Sequence, residues 1–251
     1  PLEELSKLNV DYVVCVNASP YEFNKTKNKF NFIQNRLNKL NDFFLIYLNC
    51  VGGQDELLFD GNSFITKAKK YSPNNLPFFS GQFISQNIIA DFSKKNHIKI
   101  TRKYEKFPFH RKIFEDPITQ INTMNEEKFL IYNLLNGLIL AMKDYLEKNS
   151  IKKLFLGLSG GIDSGVVLFI ASKVISREKI TAIMMPSEFT SDVSLKDAKK
   201  LALNLGVNYK SISIQKHIKN FEATFKKDFE GLEKDITEQN IQARIRGMIL
   251  M

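Results

Sequence analysis

One stretch constrains this chain more than any other: Leu154-Phe-Leu-Gly-Leu-Ser-Gly-Gly-Ile-Asp-Ser-Gly165. Its apolar start suits a buried strand, and Ser159-Gly160-Gly161 lets the backbone turn sharply without Cβ clashes. A helical pattern then resumes from Asp163. A strand that turns through glycines into a helix gathers several amide N–H groups at a helix N-terminus, where the dipole also favours negative charge. Phosphate is the expected occupant. The G-x-x-x-x-G-K-[ST] loop is excluded because no lysine follows the last glycine to reach the β- and γ-phosphates, and the G-x-G-x-x-G fingerprint is absent.

The flanking pattern supports that placement. After Ser150 the chain reads strand (Lys152 to Leu158), loop, helix (Ser164 to Ile175), strand (Ile180 to Pro186), helix, strand (Val207 to Ile214). Ser194 with Asp197 is read as a capping-box variant opening the second helix, and Gly206 as its C-terminal stop. These units build a parallel α/β layer with right-handed crossovers. Upstream, residues 125–148 predict a long helix whose apolar stripe is Phe129, Tyr132, Leu135, Leu138, Ile139, Met142 and Leu146.

The first part of the chain is organised differently. Residues 11–17 form a β-branched run that suits a fully buried strand, residues 25–41 an amphipathic helix, and residues 43–49 a second strand. Val51 to Glu56 reads as a turn, Leu57 to Phe59 as extended, and Asp60 to Ser63 as a second turn. Residues 68–80 read as an irregular loop and residues 98–104 as a basic strand. Little periodicity appears over 105–120, so the domain boundary is expected near Asp116, giving domains 1–115 and 116–251.

Composition narrows the classes further. With 43% apolar residues over 251 positions, the chain has ample material for buried cores. No apolar run reaches the roughly 20 residues of a membrane span, so no membrane partner is expected. The net charge of +9 comes from dispersed lysines rather than a clustered basic face, which argues against a nucleic-acid partner. Cys15 and Cys50 show no framework spacing, which suits a reducing cytoplasm. Pro1 in place of a methionine, and the uncapped helical pattern at Met251, lead to the expectation of a segment cut from a longer chain.

Without its lysine, the Ser159-Gly-Gly-Ile-Asp-Ser164 string resembles the loop of the ATP pyrophosphatase (PP-loop) superfamily, whose leaving group is pyrophosphate. The resemblance implies adenylylation with ATP and Mg²⁺. Gly157, Leu158, Ser159, Gly160, Gly161, Ile162, Asp163 and Ser164 would then hold ATP, with hydroxyl and N–H donors on the phosphates and Asp163 on the metal. Met185-Pro-Ser-Glu-Phe-Thr-Ser-Asp192 and Asn240-Ile-Gln-Ala-Arg-Ile-Arg-Gly247 are similar to the synthetase domain of the NAD⁺ synthetase family. That similarity implies Met185 beside the adenine and Asn240 and Arg244 on deamido-NAD⁺.

Asn17-Ala-Ser-Pro-Tyr21 with Lys25, and Asn49 to Gly61, resemble the nitrilase-like glutaminase domain of the glutamine-dependent members. Ser19 and Lys25 would contact glutamine, and the Gly52-Gly53-Gln54-Asp55-Glu56 segment carries no implied catalytic role. The implied fold is the C-terminal part of a nitrilase-like αββα sandwich followed by a Rossmann-like PP-loop domain, in a homo-oligomer. The implied reaction is ATP-dependent amidation of deamido-NAD⁺ with nitrogen from glutamine.

The glutaminase triad of cysteine, glutamate and lysine has no counterpart here. Cys15 lies inside a strand and reads as a small buried hydrophobe, and Cys50 lies in a turn. Little activity is therefore expected of this segment alone. Another adenylylating amidotransferase or thiolase of the superfamily, or an ATP-binding module with an inactive glutaminase half, would share the loop.

Overall fold

The computed structural model describes residues 4, 7–8, 10–23, 25–37, 43–67, 78–79, 86–94, 97–104, 126–227, 231 and 236–251. The chain divides into two compact units, Pro1–Tyr145 and Leu146–Met251. The boundary expected near Asp116 falls outside the described residues.

In the first unit, β1 (Tyr12–Asn17) pairs in parallel with β2 (Phe44–Asn49), aligned from Tyr12 opposite Phe44 to Asn17 opposite Asn49. Between them runs helix α1 (Lys25–Leu37). The expected last turn of that helix, 38–41, lies outside the described residues. Its Leu37 packs in a core with Phe43, Leu45, Tyr47 and Phe64, and Val13, Cys15 and Ile33 pack against that core. Tyr47 and Phe64 stack with ring centroids 4.8 Å apart.

Strand β1 is half-buried rather than fully buried. Val13 and Cys15 face the core, while Val14 and Val16 are 58% and 77% exposed. An apolar run fixes that a strand forms but not that both of its faces are covered.

The expected turn over 51–56 is instead a hairpin: β3 (Val51–Gln54) and β4 (Leu57–Asp60) pair antiparallel around Asp55 and Glu56, with Asp55 at φ 51°. Strand β5 (Phe64–Lys67) pairs antiparallel with β2, and β6 (Phe78–Phe79), inside the expected loop, pairs with β5. The basic strand is found as β8 (His97–Tyr104), in a bulged ribbon with β7 (Gln86–Lys94). The region 105–120 lies outside the described residues.

Helix α2 (Glu126–Lys148) is close to its expected bounds. Of its expected stripe, Ile139 and Leu146 are buried while Leu138 is 41% exposed, and Asn133, Asn136 and Leu140, outside that stripe, are buried as well. Farther along it, the Asp144 carboxylate accepts a 2.7 Å hydrogen bond from the amide of Gly53. A Cβ on Gly53 would stand 2.9 Å from the Ala141 backbone, so the hairpin sits directly on the helix.

The second unit holds three parallel strands in the order β11–β10–β9: β9 (Leu154–Gly157), β10 (Ile180–Met184) and β11 (Asn208–Ser211). They are shorter than the sequence pattern suggested, because residues that leave the sheet at its carboxyl edge keep an apolar or extended pattern. Helix α3 (Ile162–Val174) connects β9 to β10, and α4 (Asp192–Leu205) connects β10 to β11. Helices α5 (Gln215–Thr224) and α6 (Ile236–Leu250) follow. Ile183, Met185, Ile214, Ile218 and Ile245 form a core beneath α6, joined by Ile241, Ile249 and Leu250.

Two end signals of α4 fare differently. Gly206 terminates the helix in the left-handed region, at φ 68°, as its sequence position predicts. The N-cap is Ser191, whose hydroxyl accepts from the Ser194 amide at 3.2 Å, and not Ser194 itself. Ser194 lies inside the first turn, so the capping-box reading starts one turn too late.

Candidate functional site

The loop between β9 and α3 is shaped by its own serines. Gly160 adopts φ 85°, and Gly161 is the N-cap of α3 without any side-chain cap. The Ser159 hydroxyl accepts from the Gly161 amide at 3.2 Å and lies 3.0 Å from the Ser164 hydroxyl. Ser164 Oγ accepts from the Ser159 amide at 3.2 Å and donates to the Gly161 carbonyl at 3.1 Å. Because that donation uses the one Ser164 hydroxyl proton, Ser159 must be the donor in the hydroxyl pair.

This ring leaves the amides of Ile162, Asp163 and Ser164 as the unpaired donors that begin any helix, beside the positive end of the α3 dipole. An anion of phosphate size is the group such an arrangement accepts.

The eight consecutive residues 157–164 assigned to this site come together in one turn. Leu158 is buried at 1% exposure and anchors the turn, its amide donating to Ile183 O at 2.9 Å. Ser159, Gly161, Ile162 and Asp163 are exposed. Asp163 contributes a lone carboxylate in the first turn of α3, and among the described residues no cluster of three or more metal-ligating side chains occurs. One carboxylate supplemented by phosphate oxygens is a donor set that suits Mg²⁺.

Met185 lies one residue beyond β10, against the loop: a Cβ on Gly157 would stand 3.1 Å from Met185 Cε and 3.3 Å from Leu250 Cδ1. The site therefore sits at the carboxyl ends of β9 and β10, where open parallel sheets bind ligands. Asn240 and Arg244 are exposed on α6, four residues apart and hence on one face.

Two residues missed from the sequence occupy a different face of α6. Arg246 Nε donates to Met185 O at 3.3 Å, and its Nη2 to Gln242 Oε1 at 3.4 Å. That same Gln242 oxygen accepts from Ser187 Oγ at 3.2 Å. Burial pushes the Arg246 guanidinium below its ordinary pKa. Nothing local in the sequence separates Arg246 from Arg244 except the phase of the isoleucines at 241, 245 and 249, which places Gln242 and Arg246 beside the buried stripe.

In the first unit, Ser19 follows β1 and Lys25 opens α1. The Ser19 amide donates to Asn49 Oδ1 at 2.8 Å, and Asn49 Nδ2 returns a 3.2 Å bond to Ser19 O. Asn49 also donates to the buried Asp60 at 3.3 Å, and Asp60 accepts from Asn62 at 2.8 Å. Lys25 Nζ reaches Pro20 O at 3.4 Å and pairs with Glu22 at 3.2 Å. Asn49, read as the end of a strand, and Asp60 and Asn62, read as turn residues, are thus the scaffold that fixes Ser19. Cys15 packs at the edge of the core and accepts a 3.2 Å bond from Asn17, whereas Cys50 is exposed.

A glycine turn at the carboxyl edge of a parallel α/β sheet has the geometry of an anion site, and comparison with known proteins shows what the chain resembles. Residues 134–251 match the family model "NAD synthase". The chain is 35% identical over 250 residues to the glutamine-dependent NAD(+) synthetase of Acinetobacter baylyi, covering 100% of this chain and 42% of that protein. It is 34% identical to the Aquifex aeolicus enzyme of the same name, covering 96% and 43%.

Among solved structures, the glutamine-dependent NAD+ synthetase of Acinetobacter baumannii in complex with ADP superposes with a TM-score of 0.76 at 32% identity, over 99% of this chain and 43% of that one. The chain thus spans less than half the length of these relatives. The mixed α/β architecture with a parallel PP-loop layer, expected from the sequence, is the one observed.

Proposed function

We propose that this chain contributes the ATP site, and part of the glutamine site, of an enzyme that amidates deamido-NAD⁺ to NAD⁺. The observation that carries the reading is the Ser159–Ser164 loop, closed by its own hydroxyls and set against Met185 at the carboxyl edge of the sheet. A carboxylate is not amidated directly, because oxide is a poor leaving group. The nicotinate carboxylate attacks the α-phosphate of ATP, pyrophosphate departs, and ammonia then displaces AMP from the acyl adenylate.

In that sequence the loop amides bind the pyrophosphate unit as it leaves, charge that develops where the donors already point. Leu158 holds the turn to the sheet, and Met185 borders the adenine. Asp163 would hold Mg²⁺, which when bound neutralises charge on the phosphate oxygens. Asn240 and Arg244 would meet deamido-NAD⁺, Arg244 through its planar donor fork. Ser19 and Lys25 would contact glutamine. Residues 1–115 belong to the glutaminase part and 116–251 to the synthetase part, in a homo-oligomeric cytoplasmic protein. The ADP in the A. baumannii structure, which superposes over 99% of this chain, supports the nucleotide assignment.

The test follows NAD⁺ formation from deamido-NAD⁺, ATP, Mg²⁺ and either glutamine or ammonium by the protein that carries this chain. Asp163→Asn is expected to abolish the magnesium dependence of ATP affinity. Turnover that requires tRNA or xanthosine monophosphate instead of deamido-NAD⁺ would overturn the substrate assignment.

A further inference from the structure

The segment just beyond β10 is pinned from two sides. On one side Ile214 N donates to Pro186 O at 3.0 Å and Glu188 N to Gln215 Oε1 at 2.8 Å. On the other, α6 presents Gln242, Arg246 and Leu250, successive residues on one helical face, to the carboxyl edge of the sheet. Leu250 reaches Gly157 at the root of the phosphate loop, Arg246 reaches the Met185 carbonyl, and Gln242 reaches Ser187.

Arg246 has five N–H donors, and the two acceptors that the structure gives it are neutral oxygens. A guanidinium held among neutral oxygens fixes geometry rather than balancing a carboxylate. Its planar fork bonds the Met185 carbonyl and the Gln242 amide together, and through Gln242 the Ser187 hydroxyl.

We propose that Arg246 is a positioning residue of the nucleotide site, setting the backbone of Met185–Ser187 against which the nucleoside part of the ligand rests. The inference rests on the reading of the loop as an ATP site and deepens it. It divides labour on α6: Arg246 shapes the nucleoside wall, while the pyrophosphate is held by the loop.

The test measures binding of ATP, adenosine and inorganic pyrophosphate to the full 251-residue chain. Arg246→Met is expected to weaken ATP and adenosine alike by about tenfold, the scale of a lost charge-assisted hydrogen bond, and to leave pyrophosphate unchanged. Arg246→Lys, which keeps the charge and donors on a single nitrogen but not the fork, is expected to restore part of the loss. Arg177→Met is the control, since Arg177 precedes β10 at the opposite edge of the sheet.

If pyrophosphate affinity falls as far as adenosine affinity, Arg246 touches phosphate and the proposal is wrong. It is also wrong if no affinity moves. Should Arg246→Met fail to fold, Gln242→Ala keeps the guanidinium and is expected to give a smaller loss confined to ATP and adenosine; no such loss refutes the proposal. Wild-type chain that binds pyrophosphate but not adenosine refutes the positioning role and leaves the phosphate loop standing. Wild-type chain that binds none of the three refutes both.

Discussion

The backbone of Gly160 lies against that of Ser194: a Cβ added to Gly160 would stand 2.7 Å from Ser194 Cα. The Ser159–Ser164 loop and the first turn of α4 are therefore in backbone contact, at a residue whose φ of 85° already disfavours side chains. Gly160→Ala is expected to lower stability by about 2–4 kcal/mol, combining a left-handed backbone penalty with overpacking. Thermal unfolding measures the loss. ATP affinity should fall by more than the unfolded fraction explains, and a variant with wild-type stability would contradict the close contact.

Asp144 accepts the Gly53 amide at 2.7 Å and so ties the β3–β4 hairpin to α2. Removing an acceptor from a partly buried amide costs about 1–3 kcal/mol. Asp144→Ala should accordingly raise hydrogen exchange across the hairpin backbone, with Asp144→Asn intermediate because its amide oxygen still accepts. Unchanged exchange in the alanine variant would show that the hairpin is held by other contacts.

The capping assignment of α4 separates two serines that look alike in sequence. Ser191→Ala removes the oxygen that accepts from Ser194 N, and is expected to cost about 1 kcal/mol. Ser194→Ala leaves that backbone bond in place and should cost less. Denaturant unfolding of the two variants checks the order, and a larger loss at Ser194 would reinstate the later start.

Alkaline stability follows from one buried phenol, Tyr47, and one half-buried phenol, Tyr21. Burial raises the pKa of Tyr47, helped by the charges of Cys15 and Asp60 and opposed by a hydrogen bond from Ser19. Burial, with Asp60, raises that of Tyr21. The unfolded phenols lose their protons from about pH 10 while the folded ones keep them, so over that window the folded state binds more protons. Stability contributed by these groups is complete below pH ~10 and declines above it. Melting temperatures across this range should fall less steeply in Tyr47→Phe than in wild type, and identical slopes would exclude Tyr47.

The loop and its flanks were legible in sequence because glycine, a β-branched run and a helical period are local signals. The features that were not legible depend on what lies across space. Val14 and Val16 are as apolar as Val13, and only the sheet decides which side is covered. Ser191-x-x-Ser194 and Ser194-x-x-Asp197 compete as caps, and the choice falls to the backbone that meets Gly160. Asn49 reads as a strand end and Asp60 as a turn former, yet their tertiary role is to clamp Ser19. Arg244 and Arg246 differ only in helical phase, and that phase decides which of them meets Met185.

The paired hydroxyls of Ser159 and Ser164 carry a consequence for how such a loop varies among descendants. Each serves as the other's hydrogen-bond partner, and each also satisfies a backbone amide of the turn. Replacing Ser164 alone takes the acceptor from both the Ser159 hydroxyl and the Ser159 amide, and replacing Ser159 alone takes that of the Gly161 amide, so single-step drift at either position is penalised. The two positions are expected to covary, changing jointly or not at all, while exposed Ile162 between them is free to wander.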